Sequence, residues 1–169
     1  MRLFHAPLAL IPLLLAGPPA AARAPDAPVR FDAIRFFAGH TEGAGRLKIV
    51  MRPPTLVDVH GDGRVMEDGT LLLRQTVEQW GVPAKQREWR IRQVTPGHYA
   101  GTLSDAAGPV VGEVIGGRLK LAFRMKGGLH ATQWIEAAAD GRSAHNRMTV
   151  RKMGVVVVHL DETIRRTGG

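Results

Sequence analysis

The side chains most able to do chemistry are few and scattered. Past His5, histidines stand at His40, His60, His98, His130, His145 and His159. None shows the His-Glu-x-x-His or His-x-His spacing that puts two imidazoles on one metal ion. His159 and Asp161 lie two residues apart, so on a strand they share a face, where a carboxylate can orient an imidazole as base or ligand. Val156, Val158, Leu160 and Ile164 make the opposite face the more apolar one, which turns that pair toward solvent. The serines are Ser104 and Ser143, and neither sits in Gly-x-Ser-x-Gly. Glu78, Glu113 and Glu136 are single carboxylates in strand-like contexts, with nothing to say which would face each other. The absence of cysteine excludes disulfides, thiolate metal sites, a cysteine nucleophile and a lipid-modified N-terminal cysteine.

Two glycine-rich segments suggest binding loops and fail on detail. Gly39-His-Thr-Glu-Gly43-Ala-Gly45 lacks the Gly-Lys-Ser/Thr ending of a phosphate loop and reads as a flexible lead into the first strand. Asp58-Val-His60-Gly-Asp62-Gly63 resembles half a calcium loop, but Gly69 stands where the bidentate Glu belongs, so it reads as a hairpin tip. Arg87 and Trp89 are the better pair. Two residues apart on a strand, they present a cation and an indole donor to one side, a fitting contact for an anionic headgroup.

The elements that must position these groups are strands. Leu47, Ile49 and Met51 alternate with Lys48 and Val50 until Pro53-Pro54. Leu71–Trp80 is β-rich toward its end, Gly81–Lys85 reverses the chain, and Arg87, Trp89 and Ile91 share one face of the next strand. Leu119, Leu121, Phe123 and Met125 form the cleanest apolar stripe, bounded by Gly116-Gly117 and Gly127-Gly128. Further strands are expected over Ala131–Ala137, Ala144–Lys152 and Val155–Ile164. This gives nine or ten strands at roughly 10-residue spacing. The expected fold is all-β: an antiparallel meander closed as a barrel of about 8–10 strands, since closure removes exposed edges. Asp32–Phe37 reads as a short helix or plug at one mouth.

Composition bears on location and partners. The chain has 169 residues, 23 Lys+Arg against 15 Asp+Glu, and a formal net charge of +8. Residues 1–22 read as a secretory signal, with Arg2 ahead of the apolar stretch Leu8–Ala16 and an Ala-Ala-Ala cleavage site ending at Ala22. Pro12, Pro18 and Pro19 interrupt the run, which makes a retained membrane span the weaker reading. Removing the signal takes only Arg2 and leaves +7. The rest divides into a leader over residues 23–35, one barrel domain over 36–166 and a tail over 167–169. Arginines spread along an exported chain, without an aromatic stacking platform, argue against nucleic acid. They point instead to an anionic membrane surface or to a plainly solvated face.

A set of landmarks taken in order resembles the DUF3833 family. They are Phe36-Phe37-Ala-Gly39 with Gly43-Ala-Gly45, Arg87-Glu-Trp89-Arg-Ile91, Gly97-His-Tyr99-Ala-Gly101, Asp105-Ala-Ala-Gly108 with Gly112, Trp134, Asn146-Arg-Met148, Lys152 and Gly154-Val155. The resemblance covers Phe36 to about Arg166. It implies a small Gram-negative envelope protein of unknown function with a lipocalin- or calycin-like β-barrel, often a lipoprotein and often encoded beside fatty-acid-modifying genes. The chain departs from that pattern in lacking the lipid-bearing cysteine, which favours a soluble periplasmic form. It also departs in having Arg74-Gln75 where acids are commoner. On this reading Trp89, Tyr99 and Trp134 supply buried surface, and Asn146 bonds the backbone of a neighbouring loop.

Together these readings predict a periplasmic barrel that binds or carries a lipid or other apolar anion. Arg87, Trp89 and Tyr99 face the ligand, and Phe123 and Met125 form the apolar wall. No catalytic residue, metal ligand or cofactor is assigned, and the oligomeric state is open. The alternatives are an enzyme acting on envelope lipids and a structural protein recognising a partner through a basic exterior.

Overall fold

A computed structural model describes residues 31–168. The signal over residues 1–22 and most of the leader lie outside the described residues. A short helix α1 (Ala33–Phe37) precedes ten strands: β1 (Gly39–Ile49), β2 (Thr55–Val65), β3 (Leu71–Gln79), β4 (Val82–Thr95), β5 (His98–Leu103), β6 (Val110–Ile115), β7 (Arg118–Met125), β8 (Leu129–Ala137), β9 (Ser143–Lys152) and β10 (Val155–Arg166). Each strand pairs antiparallel with its neighbour in sequence, and β1 pairs with β10 to close the barrel. The expected closed meander is what forms.

Alternation decides which side chains fill the interior. On β7 the Leu119-Leu121-Phe123 stripe is buried, while Arg124 is exposed. Leu71 and Leu73 on β3, Trp89 and Ile91 on β4, and Ile135 on β8 join it in one core. Period-two patterning commits one face of each strand to the lumen, so a one-residue slip would expose the whole set.

Successive turns alternate between the barrel's two ends. α1 closes the end that carries the β2–β3, β4–β5, β6–β7 and β8–β9 turns. A five-residue helix has little stability of its own. This one is held by Asp32, whose carboxylate accepts from the Arg35 amide at 3.0 Å, and by burial of Phe36 and Phe37. Phe31, Phe36 and Phe37 form an aromatic cluster with centroids 5.0–6.3 Å apart. The Phe31 amide donates to the Gly117 carbonyl at 3.2 Å, and Ala33 is buried. The barrel's plug therefore begins inside the stretch read as leader.

Three local expectations are corrected. Asp58–Gly63 is not a hairpin tip: it lies within β2, where a Cβ on Gly63 would overlap the Phe37 carbonyl. That glycine lets the helix sit on the sheet; it does not turn the chain. Gly39–Gly45 is likewise strand, the first half of β1. Met51 does not extend the β1 stripe; it stands in the β1–β2 turn, exposed. Trp134 also departs from its expected burial. It lies on the outer face, half-buried, under the cations of Arg118 and Lys120 at 4.9 and 5.7 Å from the ring centre.

Candidate functional site

The lumen above α1 encloses a cavity of about 330 Å3, at the lower end of the range typical of small-molecule sites. Its wall is largely apolar, with Leu71, Leu73, Trp89, Leu121, Phe123 and Ile135 among the lining residues. Trp89 and Phe123 meet edge to face, with centroids 5.6 Å apart at 89°. The Trp89 indole N–H donates to Gln75 Oε1 at 2.8 Å, which satisfies the indole and fixes its tilt.

One carboxyl interrupts this wall. Glu162 on β10 is buried, and its Oε2 accepts from Asn146 Nδ2 of β9 at 2.7 Å. The space for it comes from β1. A Cβ on Gly43 would overlap Glu162 Oε1, and one on Gly45 would crowd the Glu162 backbone at 2.9 Å. The Gly43-Ala-Gly45 landmark is thus the hollow that holds the carboxyl, not a mobile loop. Burial pushes the Glu162 carboxyl above its ordinary range, opposed by the Asn146 hydrogen bond and the positive field of Arg87. Asn146 Oδ1 has no hydrogen-bond partner. An acceptor left open in a cavity wall is a place where a ligand hydroxyl or amide would bind. Asn146 therefore faces the lumen and a carboxylate, where the sequence had suggested a loop backbone.

Toward the open end, Lys85 Nζ and Arg87 Nε approach the same Asp105 oxygen at 2.9 and 2.7 Å. Asp105 is nearly buried and belongs to the β5–β6 loop. Two cations sharing one carboxylate leave positive charge over, and both cations line the cavity. The site thus runs from a buried carboxyl and an open amide in the wall to a net-positive rim.

Of the residues expected at the ligand, Arg87, Trp89 and Phe123 line the cavity. Tyr99 and Met125 are not among its lining. Tyr99 is buried beneath the plug, where its hydroxyl oxygen accepts from the Ala33 amide at 3.3 Å; burial pushes its phenol up. Met125 is half-buried at the opposite end, beside the bridge it makes with Ala106. Every described histidine lies on the outward face of its strand. His159 is exposed, and Asp161 pairs outside the barrel with His145 at 2.7 Å and Arg147 at 3.6 Å. Among the described residues, no cluster of three metal-binding side chains occurs. Sequence reasoning missed Glu162. The signal was available: Leu160-x-Glu162-x-Ile164 sets one charge in an apolar stripe.

No family model matches the chain, and no curated protein matches it. Solved structures do match in fold. One is an S-type phycobiliprotein lyase, CPES, from Guillardia theta, with TM-score 0.64 and 8% identity, covering 80% of this chain and 91% of that one. Another is a DUF3598-family protein of unknown function from Nostoc punctiforme, with TM-score 0.60 and 12% identity, covering 82% of this chain and 50% of that one. The chain thus spans half the length of that second neighbour. At these identities the likeness is one of architecture, and the barrel is a lipocalin-like calycin fold.

Proposed function

We propose that the barrel holds one small amphipathic ligand in its lumen, a lipid or another apolar molecule with an anionic group. The observation that carries this reading is the Glu162–Asn146 pair, a polar spot built into an otherwise apolar cavity. An apolar body would lie against Trp89 and Phe123. A hydroxyl or amide donor would reach Asn146 Oδ1, and an anionic group would meet the positive excess at Lys85 and Arg87. The same residues suit a carrier better than a filled structural barrel, because a filled barrel gains nothing from a buried carboxyl. On this reading the chain is an exported periplasmic protein of the DUF3833 type, a placement supported by its landmarks and its signal-like N-terminus.

Native mass spectrometry of the protein purified from a periplasm tests it. The expected result is an adduct that is extractable into organic solvent and lost when the lumen is filled by Val59→Trp. A bare mass for the native protein, across mild ionisation conditions, would overturn the carrier reading.

A second reading draws on the same carboxyl. A buried Glu held above its ordinary range is suited to act as a general acid on a bound lipid, and the first structural neighbour is a lyase by name. Chemical change in a co-purified lipid, abolished in Glu162→Gln while binding persists, would distinguish an enzyme from a carrier.

A further inference from the structure

We propose that the open end of the barrel docks on an anionic lipid bilayer, with Met51, Trp80 and Met153 as the inserting side chains. The three residues occupy the β1–β2, β3–β4 and β9–β10 turns, which project from the end opposite α1. In barrel order the strands run β9-β10-β1-β2-β3-β4, so the three turns are consecutive along one arc of the rim. Backbone bonds hold them in place: the Val50 amide donates to Val157 O at 2.9 Å, and the Trp80 amide to Leu56 O at 3.5 Å.

Their exposure is extreme. Met51 is 97% exposed, Met153 92% and Trp80 86%, with Val50, Leu56, Val82 and Val155 exposed beside them. Isolated apolar side chains on a surface are ordinary, but a contiguous set along one rim marks an interaction site.

The backbone adds an independent observation. Among the described residues, the non-glycine positions in the left-handed region are Met51 (φ 62°) and Met153 (φ 50°). Every other left-handed position is glycine, which takes that conformation without strain. A methionine there is disfavoured within the molecule and makes no buried contact in return. Both exceptions are the same long apolar residue, at the same end of the barrel.

The charge of this rim selects the occupant. Lys48, Arg52, Lys126, Arg151 and Lys152 lie in or beside the open-end turns. The acids nearby are Asp58, Glu78 and Asp105, the last already shared by Lys85 and Arg87. Within the turns themselves the plugged end carries Glu67, Asp68 and Asp140 against Arg142, an acidic balance, whereas the open end carries Arg52 and Lys126 against Asp105. Separate flexible prongs, a tryptophan and surrounding cations match a fluid anionic interface, which needs no fixed shape to receive them.

The rim also opens toward the lumen. A groove edged by Arg52, Leu56 and Trp80 shares Leu47, Gln79 and Val82 with the cavity wall. If the lumen carries a lipid, as proposed above, the bilayer is where it would be exchanged; docking itself does not depend on that cargo.

Co-sedimentation with vesicles of phosphatidylglycerol and phosphatidylcholine, against phosphatidylcholine alone, tests the proposal. Binding is expected only with the anionic lipid and to weaken with salt. Trp80→Ser, and separately Met51→Asn with Met153→Asn, should each lower partitioning by about tenfold or more. Asparagine tolerates the left-handed turn, so the double variant tests the side chains without disturbing the fold. Met66→Asn at the plugged end should change nothing. Glu162→Gln should bind vesicles as the native protein does, which keeps this result separate from the fate of the ligand reading. Absence of binding, or binding unaltered by the rim variants, overturns the proposal. So does a concentration-dependent dimer that the rim variants abolish without any vesicle association, which would make the rim a self-association face.

Discussion

At the plugged end, Phe31, Phe36 and Phe37 turn inward beneath a helix capped by Asp32, and the turns around it carry three acids, Glu67, Asp68 and Asp140, against Arg142. At the open end, Met51, Trp80 and Met153 turn outward, and the turns around them carry lysine and arginine. Both ends are finished by the same short antiparallel turns, so topology does not account for the contrast. Its source is where apolar surface is placed. Inside, such surface stabilises the fold by about 25 cal/mol per Å2 removed from water; outside, it stabilises nothing until another phase covers it. One end therefore serves folding, the other an encounter, and Glu162 sits between them.

Substitutions at the plugged end should have the largest effects on stability. Phe37→Ala removes the ring that closes the barrel and should cost about 3–5 kcal/mol, read as a lower urea midpoint with little change in slope. A loss under about 1 kcal/mol would mean that the helix is an ornament and the two ends differ less than their packing implies.

Glu162→Gln should act in the opposite direction. Because burial raises the native carboxyl's pKa, the folded state binds more protons than the unfolded one between the ordinary glutamate value and the raised one. Stability from this group is therefore fullest at low pH and declines as pH rises through that window. The neutral amide removes the decline and should stabilise the protein by about 1–2 kcal/mol at neutral pH. Thermal melts of both proteins across mildly acidic to neutral pH would show converging curves at the acid end; parallel curves would deny the carboxyl its strain.

Tyr99→Phe deletes the acceptor of the Ala33 amide and leaves the ring in place. The expected cost is about 1 kcal/mol, together with faster hydrogen exchange of the α1 amides and no change at the open-end turns. Smallest of all is Met51→Asn, expected within about 0.5 kcal/mol of neutral or slightly stabilising, since nothing inside the molecule holds that side chain. A clear destabilisation there would show that the exposed methionine has an internal role after all.

The contrast between ends was only partly legible in the sequence. Strands were visible because alternation is local: Leu119, Leu121 and Phe123 declare their face without help from any partner. Asp32–Phe37 was legible only as a short helix or plug; the Asp32 cap and the burial of Phe36 and Phe37, which make it both, depend on the barrel beneath. Glycines misled. Gly61 and Gly63 read as a turn because most clustered glycines are turns, whereas here each leaves room for a group packed across the sheet, Thr41 and Phe37. Glu162 was hidden by a related non-locality. Its charge looks like a surface residue until β1 is laid beside β10 and Gly43 and Gly45 are seen to leave a hollow for it. Met51 was assigned to a stripe because periodicity continues through it, and only the turn's backbone removes it from the strand.

The pairing of β1 with β10 has a consequence in time. All other neighbours in the barrel are neighbours in sequence and can zip as hairpins while the chain is still being made. The last seam joins Thr41 to Arg166 and must wait for the C-terminal strand. Until then a nine-stranded sheet has two open edges, the aggregation-prone form of an all-β chain. β10 also brings Glu162, and Arg166 Nη2 reaches the Ala38 carbonyl beside the plug at 3.5 Å. One strand thus seals the edge, completes the lumen and pins the plug in a single late event. Without β10 the lumen lacks one wall, with Leu160 and Glu162, so any ligand held there requires the closed barrel.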